Sequence, residues 1–227
     1  MAPEPVVFLL DVDNTLLDND SVVTDLMRHL EREMGRECQQ RYWMIFEELR
    51  MDLGYADYLG ALQRYRVEHP RDSHLLAVSS YLINYPFANR LFPRSLDVVH
   101  RFKEWGSTVI LSDGDVVFQP HKIERSGLFE AVDKKVLIYI HKELELEDVQ
   151  RRYPADHYII VDDKLRILAA IKKAWREKVT TVFPRQGHYA ADREILSRFP
   201  PADISINRIG DMLDYSLSGL LAAGEGR

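Results

Sequence analysis

Two aspartates stand two residues apart at the end of the first apolar run, in Leu10-Asp11-Val12-Asp13-Asn14-Thr15-Leu16. In extended chain, residues i and i+2 point to the same side, so both carboxylates would share one small volume. Their repulsion asks for a cation between them or a proton on one of them. Asp and Asn at a strand end also bond their own backbone in turns, so this element alone supports either reading. A second acidic pair, Asp162-Asp163, follows another apolar run. One aspartate suffices to cap a helix, whereas two adjacent ones suit oxygen ligation of a hard divalent cation. Mg²⁺ in particular combines one or two carboxylates with waters and substrate phosphate. Ser112-Asp113-Gly114 offers a hydroxyl and backbone N–H groups ahead of a predicted helix, a set suited to phosphate oxygens, with helix capping as the plainer role of the serine. Lys142 adds an ammonium that can neutralise phosphate as a point charge.

Each of these groups follows a short run rich in β-branched and aliphatic residues. The runs are Val6–Leu10, Thr108–Leu111, Val136–Ile140, His157–Val161, Val179–Phe183 and, more weakly, Asp203–Ile206. They are continuous rather than alternating, as in strands buried on both faces of a parallel sheet. Helical spacing separates the later ones, in Val116–Arg125 and Lys164–Trp175. Strand and helix in alternation predict a doubly wound α/β sheet. In such a sheet the ligand site lies beyond the carboxyl ends of the strands, where Asp11 and Asp13, Ser112 and Asp113, Lys142, and Asp162 and Asp163 converge.

From Leu10 to Thr108 the chain runs through nearly one hundred residues, far more than a crossover helix needs. That stretch reads as helices at Asp20–Met34, Gln39–Met51, Tyr55–Val67 and Asp72–Ile83, with Pro93–Trp105 returning to the sheet. The expected organisation is a core of residues 1–16 and 91–227 with a helical cap, 17–90, inserted after the first strand. No internal repeat or low-complexity segment stands out, and only the closing Ala-Ala-Gly-Glu-Gly-Arg reads as frayed.

Composition narrows the class. Across 227 residues, 46% are hydrophobic and 29% charged, which suits a folded globular chain and not a disordered one. The net charge of −6 argues against a sequence-independent nucleic-acid binder. A single cysteine, Cys38, excludes an internal disulfide and a multi-cysteine zinc site and suits a reducing cytoplasm. The opening Met-Ala-Pro-Glu-Pro lacks the pattern of a signal peptide. Apolar runs stop well short of the ~20 residues a membrane span needs, so a soluble cytoplasmic protein with no membrane or nucleic-acid partner is expected.

In these elements the chain resembles the haloacid dehalogenase (HAD) superfamily, most of whose members are Mg²⁺-dependent phosphatases, and the resemblance covers essentially its whole length. Asp11-Val12-Asp13-Asn14-Thr15 matches the first motif, Asp-x-Asp-x-Thr. Ser112 matches the second, Lys142 the third (with Lys134 and Lys135 as poorer candidates), and Asp162-Asp163 the fourth. The helical insertion matches the family's cap. Val161 replaces a frequent glycine, Arg166 stands where a last acid is common, and Asn14 stands where glycine is frequent, a mild change because Asn tolerates left-handed backbone.

The resemblance implies attack by Asp11 on phosphorus to give an aspartyl-phosphate, with Asp13 as acid and then base. It implies Mg²⁺ on Asp11, Asp162 and the Asp13 backbone carbonyl, and Asp163 on a metal-bound water or in place of the acid missing at Arg166. Thr15, Asn19, Ser112, Asp113, Gly114 and Lys142 form the implied set around the phosphoryl oxygens of a small phosphorylated metabolite. Carbon–halogen cleavage by the same nucleophile is a rival, opposed by Asp13, which family dehalogenases of this shape lack. A phosphate-binding regulator without catalysis is a third reading. The cap aromatics Tyr42, Trp43, Phe46, Tyr55, Tyr58, Tyr65 and Tyr81 read first as packing residues, and Arg41, Arg50, Arg64 and Arg66 first as solvated.

Overall fold

The computed structural model describes residues 4–225. Six strands form one parallel sheet: β1 (Glu4–Leu10), β2 (Ser107–Asp113), β3 (Val136–Tyr139), β4 (Ala155–Val161), β5 (Val179–Pro184) and β6 (Ile204–Ile206). Their order is β3-β2-β1-β4-β5-β6. All six expected runs are strands, and the doubly wound α/β architecture follows. Val6–Leu10 is unbroken in its hydrophobicity because both faces are covered. Val6, Phe8 and Leu10 belong to one apolar cluster, Val7 and Leu9 to another on the opposite face, and none of the five is more than 3% exposed.

Between β1 and β2 lie α1 (Asn19–Met34), α2 (Arg36–Leu53), α3 (Tyr58–Glu68), α4 (Leu75–Asn84) and α5 (Ser95–Lys103). Asp18 caps α1 by accepting the Ser21 N–H, and Asp57 caps α3 through the Gly60 N–H. The stretch expected as a cap, 17–90, contains α1–α4 and a 3₁₀ turn at Phe87–Arg90. Its buried face is continuous with the sheet: Leu26, Tyr42 and Phe46 share a cluster with Phe8 and Phe102. Gly54 ends α2 at φ +80, and a Cβ there would lie 2.5 Å from the His141 ring. Glycine therefore lets the end of α2 reach the loop after β3.

The remaining helices are α6 (Phe118–Arg125), α7 (Leu128–Ala131), α8 (Leu146–Arg152), α9 (Leu165–Trp175), α10 (Gly187–Ala191), α11 (Arg193–Arg198) and α12 (Leu217–Glu225). Helix α5 covers one face, stacking Phe102 on Phe8 at 4.2 Å, while α8 and α9 cover the other. The closing segment departs from expectation. Ala222–Glu225 is helical, and Gly224 is buried so close to Thr180 that a Cβ would lie 2.4 Å from its Oγ1. Gly226 and Arg227 lie outside the described residues. No described helix is long and apolar enough to cross a membrane.

Candidate active site

The strand order reverses between β1 and β4, so a crevice opens at their carboxyl ends. Leu10 pairs with Val161, and the ladder runs one step further through the Asp11 N–H to the Val161 carbonyl at 3.0 Å. Asp11 and Asp162 thus leave adjacent strands side by side. One carboxylate oxygen each from Asp11, Asp162 and Asp163 lies within 4.8 Å of the others. All three residues are buried.

Lys142, fully buried after β3, reaches this cluster from a third strand. Its Nζ lies 2.5 Å from Asp11 Oδ1, 2.7 Å from Asp162 Oδ2 and 3.1 Å from the Leu111 carbonyl. Burial works to strip its proton, but the charges of Asp11, Asp162 and Asp113 outweigh it and raise its pKa. Burial is also the main reason that Asp162 is pushed up to about 6, with Lys142 opposing and Asp11 adding to the rise. Asp163 is raised well above the ordinary carboxylate range by burial, against the pull of Lys164. Lys164, half-buried at the head of α9, is itself raised by Asp163 and Asp11 despite its burial.

The two acids of the fourth element differ in their hydrogen bonds. Asp162 accepts the Lys164 N–H at 2.8 Å and faces Lys142 with its other oxygen. Both carboxylate oxygens of Asp163 are buried with no hydrogen-bond partner among the described residues. Burying a carboxylate without partners is costly, so a cation fits here. Asp11, Asp162 and Asp163 together are the acids that could hold it, Asp163 with both oxygens unpartnered among the described residues.

Asp13 lies apart from the cluster, partly open to a cavity. The Lys122 ammonium donates to both of its oxygens, at 2.7 and 2.9 Å, and to Asn19 Oδ1 at 3.1 Å. Gln119 Nε2 donates to Ser112 Oγ at 2.9 Å and to Asp13 Oδ2 at 3.3 Å. Lys122 and Gln119 went unnoticed in the sequence. Their signal was the spacing Phe118-Gln119-x-x-Lys122, which puts all three on one face of a helix that starts just beyond β2.

Thr15, Gly114 and Asp113, expected at the phosphoryl oxygens, each have a partner within the protein, although Asp113 and Gly114 also line the cavity over Asp13. Thr15 is buried and donates its hydroxyl to Asp11 Oδ2 at 3.1 Å while accepting the Asp163 N–H at 3.1 Å. It orients acids rather than facing the cavity. The Gly114 N–H, expected to be free for phosphate, donates to the Tyr139 carbonyl at 3.0 Å, because the β2–β3 pairing extends past the strand end. The Asp113 carboxylate accepts the Lys142 N–H at 2.8 Å and so anchors the lysine's loop. Of the poorer lysine candidates, Lys134 faces Glu130 and Lys135 reaches Ser107, both at the far end of β3.

A cavity of about 720 Å³ opens over Asp13, Asp163 and Lys164. Helices α1 and α2 supply part of its wall, and the segment after β5 supplies more. That segment is tied to α1 by Asp20, which accepts the His188 N–H and faces His188 Nδ1, both at 2.7 Å. Arg50 of α2 donates to the Tyr189 hydroxyl at 2.8 Å. Gly187, at φ +69, permits the close approach: a Cβ there would lie 2.6 Å from the Asn14 side chain. Asn14 itself takes φ 58, a left-handed conformation that Asn tolerates.

The parallel sheet thus brings acids from two central strands and a buried lysine from a third to one edge, the arrangement of an aspartate-centred α/β fold. The chain belongs to the haloacid dehalogenase-like hydrolases, whose family model matches residues 6–175. It is similar to a haloacid dehalogenase-like hydrolase from Burkholderia xenovorans LB400, with 61% identity, 94% of this chain and 100% of that one covered, and a TM-score of 0.90. The fold is shared with an L-2-haloacid dehalogenase from Xanthobacter autotrophicus at 16% identity, covering 91% and 96% of the two chains with a TM-score of 0.59. It is also shared with a HAD hydrolase from Bacillus subtilis bound to magnesium, at 15% identity, 93% and 98% coverage and a TM-score of 0.59. No curated protein matches the chain.

Proposed function

We propose that this hydrolase cleaves phosphate monoesters by attack of Asp11 on phosphorus. The observation that carries the reading is the pair of buried, unpartnered oxygens of Asp163 beside Asp11. Apart from Asp13, which enters the reaction as the acid, Asp11, Asp162 and Asp163 stand against the ammonium groups of Lys142 and Lys164, three acidic groups against two cations. A phosphate dianion approaching this surplus of negative charge needs a further positive charge. Asp11 and Asp163 would hold a divalent cation, Mg²⁺ by its preference for oxygen ligands, with Asp162 beside them. Bound there, it offsets repulsion between nucleophile and phosphate and stabilises transition-state charge.

The protein groups do the rest. Lys142 and Thr15 each hold one oxygen of Asp11, which fixes the carboxylate for attack. A bond forms from Asp11 to phosphorus as the bond to the ester oxygen breaks, and Asp13, entering the step in its acid form, passes its proton to the leaving alkoxide and becomes the carboxylate. Asp13 then takes a proton from the water that releases phosphate from Asp11. Lys122 and Gln119 hold Asp13 at the cavity wall throughout. Phosphate release from 4-nitrophenyl phosphate should require Mg²⁺ and cease with a chelator. Halide release from a 2-haloacid, indifferent to chelation and with no phosphate release, would overturn the proposal in favour of a dehalogenase.

A further inference from the structure

The cavity is far larger than a phosphoryl group needs. Its volume of about 720 Å³ matches sites that enclose an organic ligand of substantial size. A column of rings runs along one wall: Trp43 stacks on Phe46 at 4.7 Å, Phe46 on Tyr58 at 4.7 Å, and Tyr58 tilts against Phe118 at 5.3 Å. Phe46 and Tyr58 are buried and fixed by this packing, while Trp43 and Tyr55 remain partly exposed towards the cavity. The segment after β5 adds Tyr189 and Phe199, also partly exposed. Rings therefore line the cavity from both the α2–α3 side and the core side.

Charge in the outer cavity is already compensated within the protein. Arg166 pairs with Glu143, Arg198 with Glu194, and Arg50 with Glu47 while also donating to the Tyr189 hydroxyl. Lys122 is engaged by Asp13. Among the described residues, Lys164 is the lining cation whose Nζ has no hydrogen-bond or ion-pair partner, and it stands at the acidic end beside Asp163. A second phosphate or a carboxylate on the substrate would find no free cation in the outer part. Ring faces are what that part offers.

We infer that the site takes a phosphate monoester whose organic part carries a planar ring, stacked on Trp43 with the phosphoryl group between Asp11 and Lys164. The inference rests on the phosphatase reading and adds the substrate class.

The test compares benzyl phosphate with cyclohexylmethyl phosphate, two primary alkyl esters of similar bulk that differ in ring planarity. In the presence of Mg²⁺, kcat/KM should favour the benzyl ester by about tenfold, the scale of one aromatic stacking contact. Trp43→Leu should bring that ratio close to one, and Trp43→Phe should preserve it. Because Trp43→Leu can also disturb the ring column, binding of benzylphosphonate and cyclohexylmethylphosphonate to the Asp11→Asn protein provides a second measure, with the same preference expected. Equal use of both esters, or a preference that survives Trp43→Leu in folded protein, would overturn the ring inference and leave the phosphatase reading standing. Failure to release phosphate from either ester or from 4-nitrophenyl phosphate would overturn both.

Discussion

Removing the Lys142 ammonium tests the electrostatics of the site. Its Nζ lies 2.5 Å from Asp11 Oδ1 and 2.7 Å from Asp162 Oδ2, and none of the three side chains is more than 5% exposed. At an effective dielectric of ~20, each pair attracts by about 6 kcal/mol. Most of that attraction offsets the cost of taking the charges out of water. What a variant exposes is the uncompensated charge left behind, and breaking a buried pair costs about 3–5 kcal/mol. Lys142→Met should therefore lose about 3–5 kcal/mol at pH 7, measured by urea unfolding in chelator. The sign with pH follows from Asp162, which burial already pushes up to about 6 against the pull of Lys142. Without the ammonium it rises further. An acid whose folded pKa exceeds its unfolded value destabilises the fold as pH rises from about 4 through the folded pKa. The deficit of Lys142→Met should accordingly shrink between pH 7 and pH 5 as Asp162 takes up a proton. Adding Asp162→Asn should recover about 1–3 kcal/mol at pH 7 by coupling through the shared pair. A loss below about 1 kcal/mol at pH 7 that does not change down to pH 5 would refute the argument.

Asp11→Asn should remain folded by circular dichroism and lose turnover by about 10⁴-fold or more, since an amide cannot form the acyl phosphate. Mg²⁺ should raise the melting temperature of the native protein but not of Asp163→Asn, while Asp162→Asn keeps part of the response; scanning fluorimetry over a Mg²⁺ titration checks the order. Gly54→Ala should cost about 1–3 kcal/mol in urea unfolding, because a side chain at positive φ is strained and meets the His141 ring.

The strands and the acids at their ends were legible because their signals are local. A parallel strand buried on both faces must be apolar at every position, so Val6–Leu10 and His157–Val161 stand out without any knowledge of their partners. Asp11, Asp13, Ser112, Lys142, Asp162 and Asp163 drew notice because polar groups directly after such runs fall on one sheet edge. Lys122 and Lys164 did not, because an isolated lysine on a helix reads as a solvated one. Only the folded chain shows Lys122 closed over by Asp13 and Asn19.

Hydrophobic patterning and strand-end chemistry by themselves determined the parallel sheet, the helical stretch after β1 and the acids at the strand ends, while the role of Asp11 as nucleophile came only from the family resemblance. The tertiary structure decided how the surroundings of the acids differ. Adjacent in sequence, Asp162 and Asp163 look equivalent, yet Asp162 forms an ion pair with Lys142 and accepts the Lys164 N–H, while neither oxygen of Asp163 has a hydrogen-bond partner among the described residues. It also decided which rings of the helical stretch after β1 meet the cavity. Tyr42 and Tyr65 pack inside and Tyr81 stacks on His29, whereas Trp43 and Tyr55 reach the pocket. These distinctions depend on contacts between residues far apart in the chain, such as Asp20 with His188 and Arg50 with Tyr189. A helical period tells which residues share a face, but what that face meets is set by the elements packed against it.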